Sequence, residues 1–233
     1  MKILLNPKYE HLREYMMHLE EHFNQDGEDI HNDRNHLKKL RVDGLTLCVK
    51  KFAPTPKARR LKEILYKASK GKQAYLRPML LRERGFESPE SIALVKYRKG
   101  LLGQTTYFVC LHSPYRFSMA DLHTLEAGKQ QEVIAHFARY AAHLHEGGFL
   151  HRDFSSSNIL YDVIDGRYHF SLIDTNNIKC GAAVHLEEGC KNLGQLSGDD
   201  AFFKELATRY AHERHADAAR CLDLINEARH KKA

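Results

Sequence analysis

The chain has 233 residues, 42% hydrophobic and 28% charged, enough to bury a core as one compact unit or as two small lobes. Five widely spaced cysteines, with no Cys-x-x-Cys and no Cys/His ligand spacing, argue against a disulfide framework or a zinc site and for a reducing compartment. The formal net charge is +6, and no apolar run approaches the ~20 residues of a membrane span, so a basic protein without a span of its own is expected.

The apolar run Ile3-Leu4-Leu5 is too short for a signal peptide before Lys8 and Glu10 arrive. Residues 8–24 place Leu12, Tyr15, Met16, Leu19 and Phe23 at spacings of three and four, which predicts a helix. Residues 24–35 are polar and interrupted by Gly27. From His36 to Phe52 the pattern is that of a hairpin. Leu37, Leu40 and Val42 lead into Asp43-Gly44, and Leu45, Leu47 and Val49 alternate on the return. Pro54 and Pro56 mark a linker. Residues 57–84 are helical in composition, with Gly71 and Pro78 expected to break the helix and Gly85 to end it. Basic residues concentrate between Lys50 and Lys72, read alone as a solvated helix face.

Strands are predicted at 91–97 and 105–111 about a Lys99-Gly100 turn. Ser118 is placed to cap a short helix through Leu125. The strongest helix is 130–145, where Ile134, Phe137, Ala138, Ala141 and Leu144 form one face and Gly147-Gly148 stops it. Phe149-Leu150 then leads into a polar loop. Further helices are expected near 185–196, 199–213 and 215–230.

That polar loop carries the chemistry. His151-Arg152-Asp153 is followed by four residues and Asn158, and the apolar segment Phe170-Ser171-Leu172-Ile173 delivers Asp174. The spacing matches the kinase catalytic-loop pattern H-R-D-x-x-x-x-N with a metal-binding Asp after it. Such chemistry needs one carboxylate to orient the attacking hydroxyl. It also needs an Asn and a second carboxylate to hold the magnesium that bridges the nucleotide phosphates. A lone His-Arg-Asp is a weak signal. The gap to Asn158, the strand Ile159-Leu160-Tyr161, the turn and the second strand ending in Asp174 make this one specific. The bland alternative is a polar hairpin turn with solvated aspartates.

With these residues the chain resembles the protein-kinase-like superfamily. More narrowly it resembles the bacterial lipopolysaccharide kinase family, whose members phosphorylate Kdo or heptose sugars of the lipid A inner core. The resemblance runs from Asn35 to Arg214. Its pieces are Thr46-Leu47-Cys48-Val49-Lys50-Lys51-Phe52, Ser69-Lys70 opening a helix, Gly85-Phe86-Glu87-Ser88-Pro89-Glu90, the loop with Asp174-Thr175-Asn176, and Cys190-Lys191-Asn192-Leu193-Gly194-Gln195-Leu196. It implies an α+β, bilobal protein-kinase-like fold. Residues 1–112 would be a small strand-rich N-lobe and 113–233 a mainly helical C-lobe, with His112-Ser113-Pro114 resembling a hinge and nucleotide in the cleft.

The resemblance also implies ATP and Mg2+ as cofactors. Asp153 would orient the hydroxyl, Asn158 and Asp174 would bind the metal, and Lys50 would pair the phosphates as a point charge. His151 and Arg152 would support the loop. Strand alternation points only one of Lys50 and Lys51 into the cleft and does not say which, while motif position favours Lys50. Three features depart from the pattern. No G-x-G-x-x-G precedes Lys50, and the turn there is Asn32-Asp33-Arg34-Asn35, whose amides or Arg34 would have to cover the phosphates. Thr175-Asn176 follows Asp174 in place of Phe-Gly. No acid stands at the expected helix register, where Ala74-Tyr75-Leu76-Arg77 occurs, and Glu63 and Glu83 flank it.

The leading expectation is an ATP-dependent kinase acting on a sugar hydroxyl of a lipopolysaccharide inner core or related glycolipid. It would be cytoplasmic and in peripheral contact with the anionic inner face of the inner membrane, with no nucleic-acid partner. A catalytically weak kinase-fold scaffold and a small-molecule kinase are the alternatives. The intact Asp153, Asn158 and Asp174 oppose the first, and the basic balance opposes the acidic acceptor pocket of the second.

Overall fold

The structure, a computed structural model, describes residues 1–33, 35–53, 70–99 and 103–231. The chain divides into two units, one of Met1–Glu83 with Ser88–Pro114, the other of Arg84–Glu87 with Tyr115–Ala233.

The first unit is built on six strands: β1 (Lys2–Leu5), β2 (Glu28–Asn32), β3 (His36–Val42), β4 (Leu45–Lys51), β5 (Ser91–Lys99) and β6 (Gly103–Leu111). They form one antiparallel sheet in the order β1-β5-β6-β4-β3-β2. The expected β3–β4 hairpin is present, with Val42 opposite Leu45 and both Asp43 and Gly44 at positive φ (47° and 74°). A two-residue loop with both residues left-handed matches the twist of the flanking strands, which is why Asp-Gly serves there.

Alternation along β4 divides the unit into two cores. Leu47 and Val49 face the N-terminal segment, packed with Leu12, Met16, Leu19 and Phe23, all nearly inaccessible. Burying each such side chain is worth roughly 1.5–3 kcal/mol. Cys48 faces the opposite way, onto Ala74 and Tyr75 of helix α3 (Lys70–Glu83) with Leu94, Phe108 and Cys110.

Two expectations change here, and one polar stretch gains an element. The helix at 8–24 is a 3-10 segment (Pro7–Leu12), then α1 (Arg13–Met17) and α2 (Leu19–Gln25), interrupted at His18 (φ −102°, ψ 14°). The interruption has a partner across the fold. Tyr97 Oη lies 3.0 Å from the Met17 carbonyl and accepts from the Glu20 N–H at 3.3 Å, satisfying groups that a continuous helix would have paired internally. The polar stretch after Gly27 forms edge strand β2, exposed at every residue, so no buried face imposed an apolar alternation. Second, Gly71 and Pro78 do not break the helix, which is continuous over Lys70–Glu83. A Cβ on Gly71 would come within 2.9 Å of Leu94 and 3.0 Å of Thr106, so the glycine lets α3 approach the sheet. The proposed linker at 54–56, most of the basic stretch after Lys50, and Glu63 and Arg34 lie outside the described residues.

The second unit is organised on α4 (Ala127–Glu146), whose buried face includes Val133, Ile134, Phe137, Ala141 and Leu144. Ser118 Oγ accepts from the Ala120 N–H at 3.1 Å and opens the expected short helix, a 3-10 segment over Met119–Thr124. Strands β7 (Phe117–Ser118), β9 (Ile159–Ile164) and β10 (Arg167–Leu172) form a three-stranded sheet, and β8 (Phe149–His151) pairs with β11 (Ile178–Cys180). Phe137 joins the helix to this layer, its ring 6.0 Å from Phe154 and 5.6 Å from Phe170. Helices α5 (Leu186–Leu193), α6 (Asp200–Glu213) and α7 (Ala218–His230) complete the unit. Asp199 and Asp217 cap the last two, accepting from Phe202 and Arg220 N–H at 2.8 and 2.7 Å.

Candidate active site

The loop between β8 and β9 is short, polar and pinned at every turn. The His151 ring is its hub. Nδ1 accepts from the Asp153 N–H at 3.2 Å and Nε2 donates to the Ile173 carbonyl at 3.1 Å. Both nitrogens are therefore committed with the ring neutral. Burial pushes its pKa below the ordinary histidine value, against an opposing hydrogen bond to Ile173. A neutral, fully buried imidazole braced between two backbone groups is a strut, as expected for this residue.

Asn158 is fixed from the other side. Its Nδ2 donates to the Asp153 carbonyl at 2.9 Å, and its own carbonyl accepts from the Ile173 N–H at 3.0 Å. With the amide nitrogen committed, Oδ1 is the atom left to face a cation. The Ile173 N–H places Asp174 one residue beyond a backbone contact to Asn158. At Asp174 the chain leaves the extended path of β10 with φ 50° and ψ 43°. That left-handed turn is tolerated by Asp more readily than by most residues, and here it redirects a strand-end carboxylate. Asp153 and Asp174 are both exposed. The second unit thus ties Asp153 to Asn158 by a hydrogen bond and sets Asp174 next to Ile173, whose N–H meets the Asn158 carbonyl.

Among the described residues no group of three or more His, Cys, Asp or Glu side chains is disposed to hold a metal ion by itself. Oxygen donors from one Asn and one or two carboxylates still suit magnesium, which keeps several waters and takes substrate phosphate oxygens as its remaining ligands. Asp162 is not available for such a role. Its carboxylate accepts from Arg116 Nη2 at 2.6 Å, and the guanidinium holds its pKa down to about 2. A groove of 440 Å³ in the same unit, walled by Phe86, Glu87, His136, Tyr140 and His169, contains none of Asp153, Asn158 or Asp174.

In the first unit, Lys50 and Lys51 lie on opposite faces of β4. Lys51 Nζ sits 5.7 Å over the Phe23 ring and 5.8 Å over Tyr107, on the face covered by the N-terminal helices. Lys50 Nζ is 5.7 Å over Phe52, on the face shared with Cys48 and α3. The buried face of α3, from Gly71 to Leu81, carries no acid, and Glu83 at its end is exposed.

Several residues that sequence reasoning left without a role hold the loop in place. Asn192 Nδ2 donates to the His151 carbonyl at 2.9 Å, and Gln195 Oε1 accepts from the Phe154 N–H at 3.2 Å. Ser156 Oγ accepts from the Ser197 N–H at 2.9 Å. In the sequence, Cys190–Leu196 stands out only as a family-like string. The Gly85–Glu90 string behaves similarly. Phe86 packs on Tyr140, His143 and Phe149, while Glu87 accepts from the Tyr115 hydroxyl and pairs with His169 Nδ1 at 2.8 Å.

No family model matches the chain, and no curated protein matches it. Among solved structures it is similar to WaaP in complex with acyl carrier protein. That likeness covers 99% of this chain and 99% of the other, at 15% identity and a TM-score of 0.62. At such identity the likeness is one of fold. A six-stranded antiparallel sheet with flanking helices, followed by a mainly helical unit carrying the loop hairpin, is the α+β, bilobal kinase-like fold.

Proposed function

We propose that this chain is an ATP-dependent kinase that phosphorylates a sugar hydroxyl of a lipopolysaccharide inner core or a related glycolipid. The observation that carries the reading is the commitment of Asn158 Nδ2 to the Asp153 carbonyl, with Ile173 tying Asn158 to the start of the Asp174 turn. It supports reading the Asn158 amide oxygen and the Asp174 carboxylate as the metal ligands and the exposed Asp153 carboxylate as the group that meets the acceptor hydroxyl. Magnesium, when bound with nucleotide, supplies charge neutralisation at the phosphates. Asn158 and Asp174 would hold it, Asp153 would accept the acceptor hydroxyl's hydrogen bond, and Lys50 is proposed as the phosphate-pairing lysine. The first unit would serve as N-lobe and the second as C-lobe; the expected division at 112/113 lies two residues before the one after Pro114, and Arg84–Glu87 belong to the second unit.

Two observations favour a sugar over a polypeptide acceptor. Only residues 175–185 separate Asp174 from α5, and part of that stretch is tied into strand β11 against β8. This leaves little chain for a peptide-docking segment. The net charge of +6 suits phosphorylated glycolipid at an anionic surface, and no helix among the described residues is long and apolar enough to cross a membrane.

The test is transfer from labelled ATP to either lipopolysaccharide precursor or a protein extract from the same cells. Label in glycolipid is expected. Label in polypeptides alone would sink the sugar-kinase reading, and no label with no ATP bound would favour a scaffold.

A further inference from the structure

His145 is fully buried and takes no part in the roles above, yet both of its ring nitrogens are engaged. Nδ1 lies 2.8 Å from Tyr210 Oη and Nε2 lies 3.2 Å from Asn192 Oδ1. Arg214 Nη1 donates to Tyr210 Oη at 2.7 Å, and Asn192 Nδ2 donates to the His151 carbonyl at 2.9 Å. The two ends of this chain fix the protons between them, because a guanidinium only donates and a carbonyl only accepts. Asn192 must then accept on Oδ1 from His145 Nε2–H. Tyr210, accepting from Arg214, donates its hydroxyl proton to an unprotonated Nδ1. Only one arrangement of hydrogens satisfies every atom, and all the bonds run from Arg214 toward the loop.

A second observation points the same way. Gly189 stands inside α5, where glycine weakens a helix. A Cβ there would lie 2.3 Å from Tyr210 Oη and 3.0 Å from His145 Nδ1. The helix therefore keeps a residue it would otherwise avoid, and the space is taken by the Tyr210–His145 contact.

On the kinase reading above, we infer that Asn192, His145 and Tyr210 are positioning residues, a one-directional hydrogen-bond relay that sets the place of His151 and through it the place of Asp153 and Asp174. His151 is gripped by Asn192 at its carbonyl. Its ring meets the Asp153 N–H on one side and the Ile173 carbonyl on the other. A displacement of His151 is passed to both carboxylates, whereas a loss of packing elsewhere in the unit is not.

The test uses the full chain with Tyr210→Phe, which removes one hydroxyl from the middle of the relay. Leu206→Ala is the comparison, a fully buried residue of the same helix α6. Two quantities are read, the nitrogen-15 signals of the His145 ring and the Asp153 amide, and the kinetics with magnesium-ATP. In the wild type His145 should be the Nε2–H tautomer at pH 7. Tyr210→Phe should shift the Asp153 amide and lower kcat roughly tenfold, the scale of outer-shell partners, with KM for ATP changed by less than about twofold. Leu206→Ala should lower the melting temperature while leaving the Asp153 amide and kcat in place. An Nδ1–H or doubly protonated His145 in the wild type would overturn the relay, and this needs no variant to fold. So would Tyr210→Phe with an unmoved Asp153 amide and unchanged kcat, or Leu206→Ala with an equal loss of kcat. If the wild type transfers no phosphate at all, the kinase reading fails, and the ring tautomer and the Asp153 amide still decide the relay.

Discussion

At the scale of single residues, the proposed roles of Asp153, Asp174 and Lys50 each give a separable prediction. Asp153 is exposed while its backbone is held by His151 and Asn158, so its carboxylate is free to act and its position is not its own to choose. Asp153→Asn should keep ATP affinity and lose roughly 10²–10⁴-fold in turnover, the usual worth of a positioned acid–base group. Full transfer activity in that variant would remove Asp153 from the mechanism. Asp174→Ala takes away the carboxylate redirected by the left-handed turn and should abolish the thermal shift given by magnesium-ATP, since alanine offers no oxygen ligand. An equal shift in variant and wild type would place the metal elsewhere. Lys50 and Lys51 are separated by the sheet itself. Lys51→Ala should cost only about 0.5–1 kcal/mol of stability through its lost contacts over Phe23 and Tyr107. Lys50→Ala should raise the nucleotide KM or lower kcat, and steady-state kinetics on both variants distinguish the two. The grouping of His151, Asp153 and Asn158 was legible in the sequence because the bonds that hold them are local, spanning two and five residues. Asn192, Gln195 and His145 were not legible as loop supports. Their partners lie more than thirty residues away or on another helix, and nothing local in Cys190–Leu196 says which side chain meets the His151 carbonyl.

At the scale of elements, legibility followed burial. The β3–β4 hairpin and the helix through Phe137 were readable because one face of each is buried and the apolar residues repeat with the period of that face. Strand β2 was not readable, since an edge strand exposed at every residue carries no alternation. The break at His18 was hidden for a different reason. The apolar residues from Leu12 to Phe23 keep helical spacing through it, and the group that terminates α1 is Tyr97, on strand β5. Tyr97→Phe removes the hydroxyl that meets the Met17 carbonyl and the Glu20 N–H. It should cost about 0.5–1.5 kcal/mol, the net worth of such a hydrogen bond, because the exposed Met17 carbonyl can turn to water. Denaturant midpoints measure this. Nucleotide kinetics should not change, because Tyr97 packs into the core on the Lys51 face of the sheet. A loss of kcat comparable to that of Lys50→Ala would show that the N-terminal layer is coupled to Lys50.

For the whole molecule the consequence is a dependence of folding on pH that comes from histidines held neutral. Burial pushes the His145 pKa down to about 4, and His151 is lowered for the same reason. An unfolded chain returns each to about 6.5. At His145 the unfolded state therefore takes up a proton between those values while the folded state does not, and His151 acts in the same direction. Stability is fully present above the unfolded value and falls as pH drops through the window from about 6.5 to about 4. For His145 alone the loss at pH 5 is about 2 kcal/mol, from roughly 1.4 kcal/mol per pH unit over the interval below 6.5. This is a large share of the 5–15 kcal/mol typical of a folded protein. Urea midpoints at a series of pH values from 7.5 to 5 should fall accordingly. His145→Gln, which keeps a polar side chain but cannot titrate, should be less stable at pH 7.5 and lose less on acidification, by close to one proton in the slope. Parallel curves for the two proteins would mean that His145 is already free to charge in the folded state. The hydrogen-bond chain from Arg214 to the His151 carbonyl would then not be intact, since a proton on Nδ1 leaves Tyr210 with no acceptor for its own.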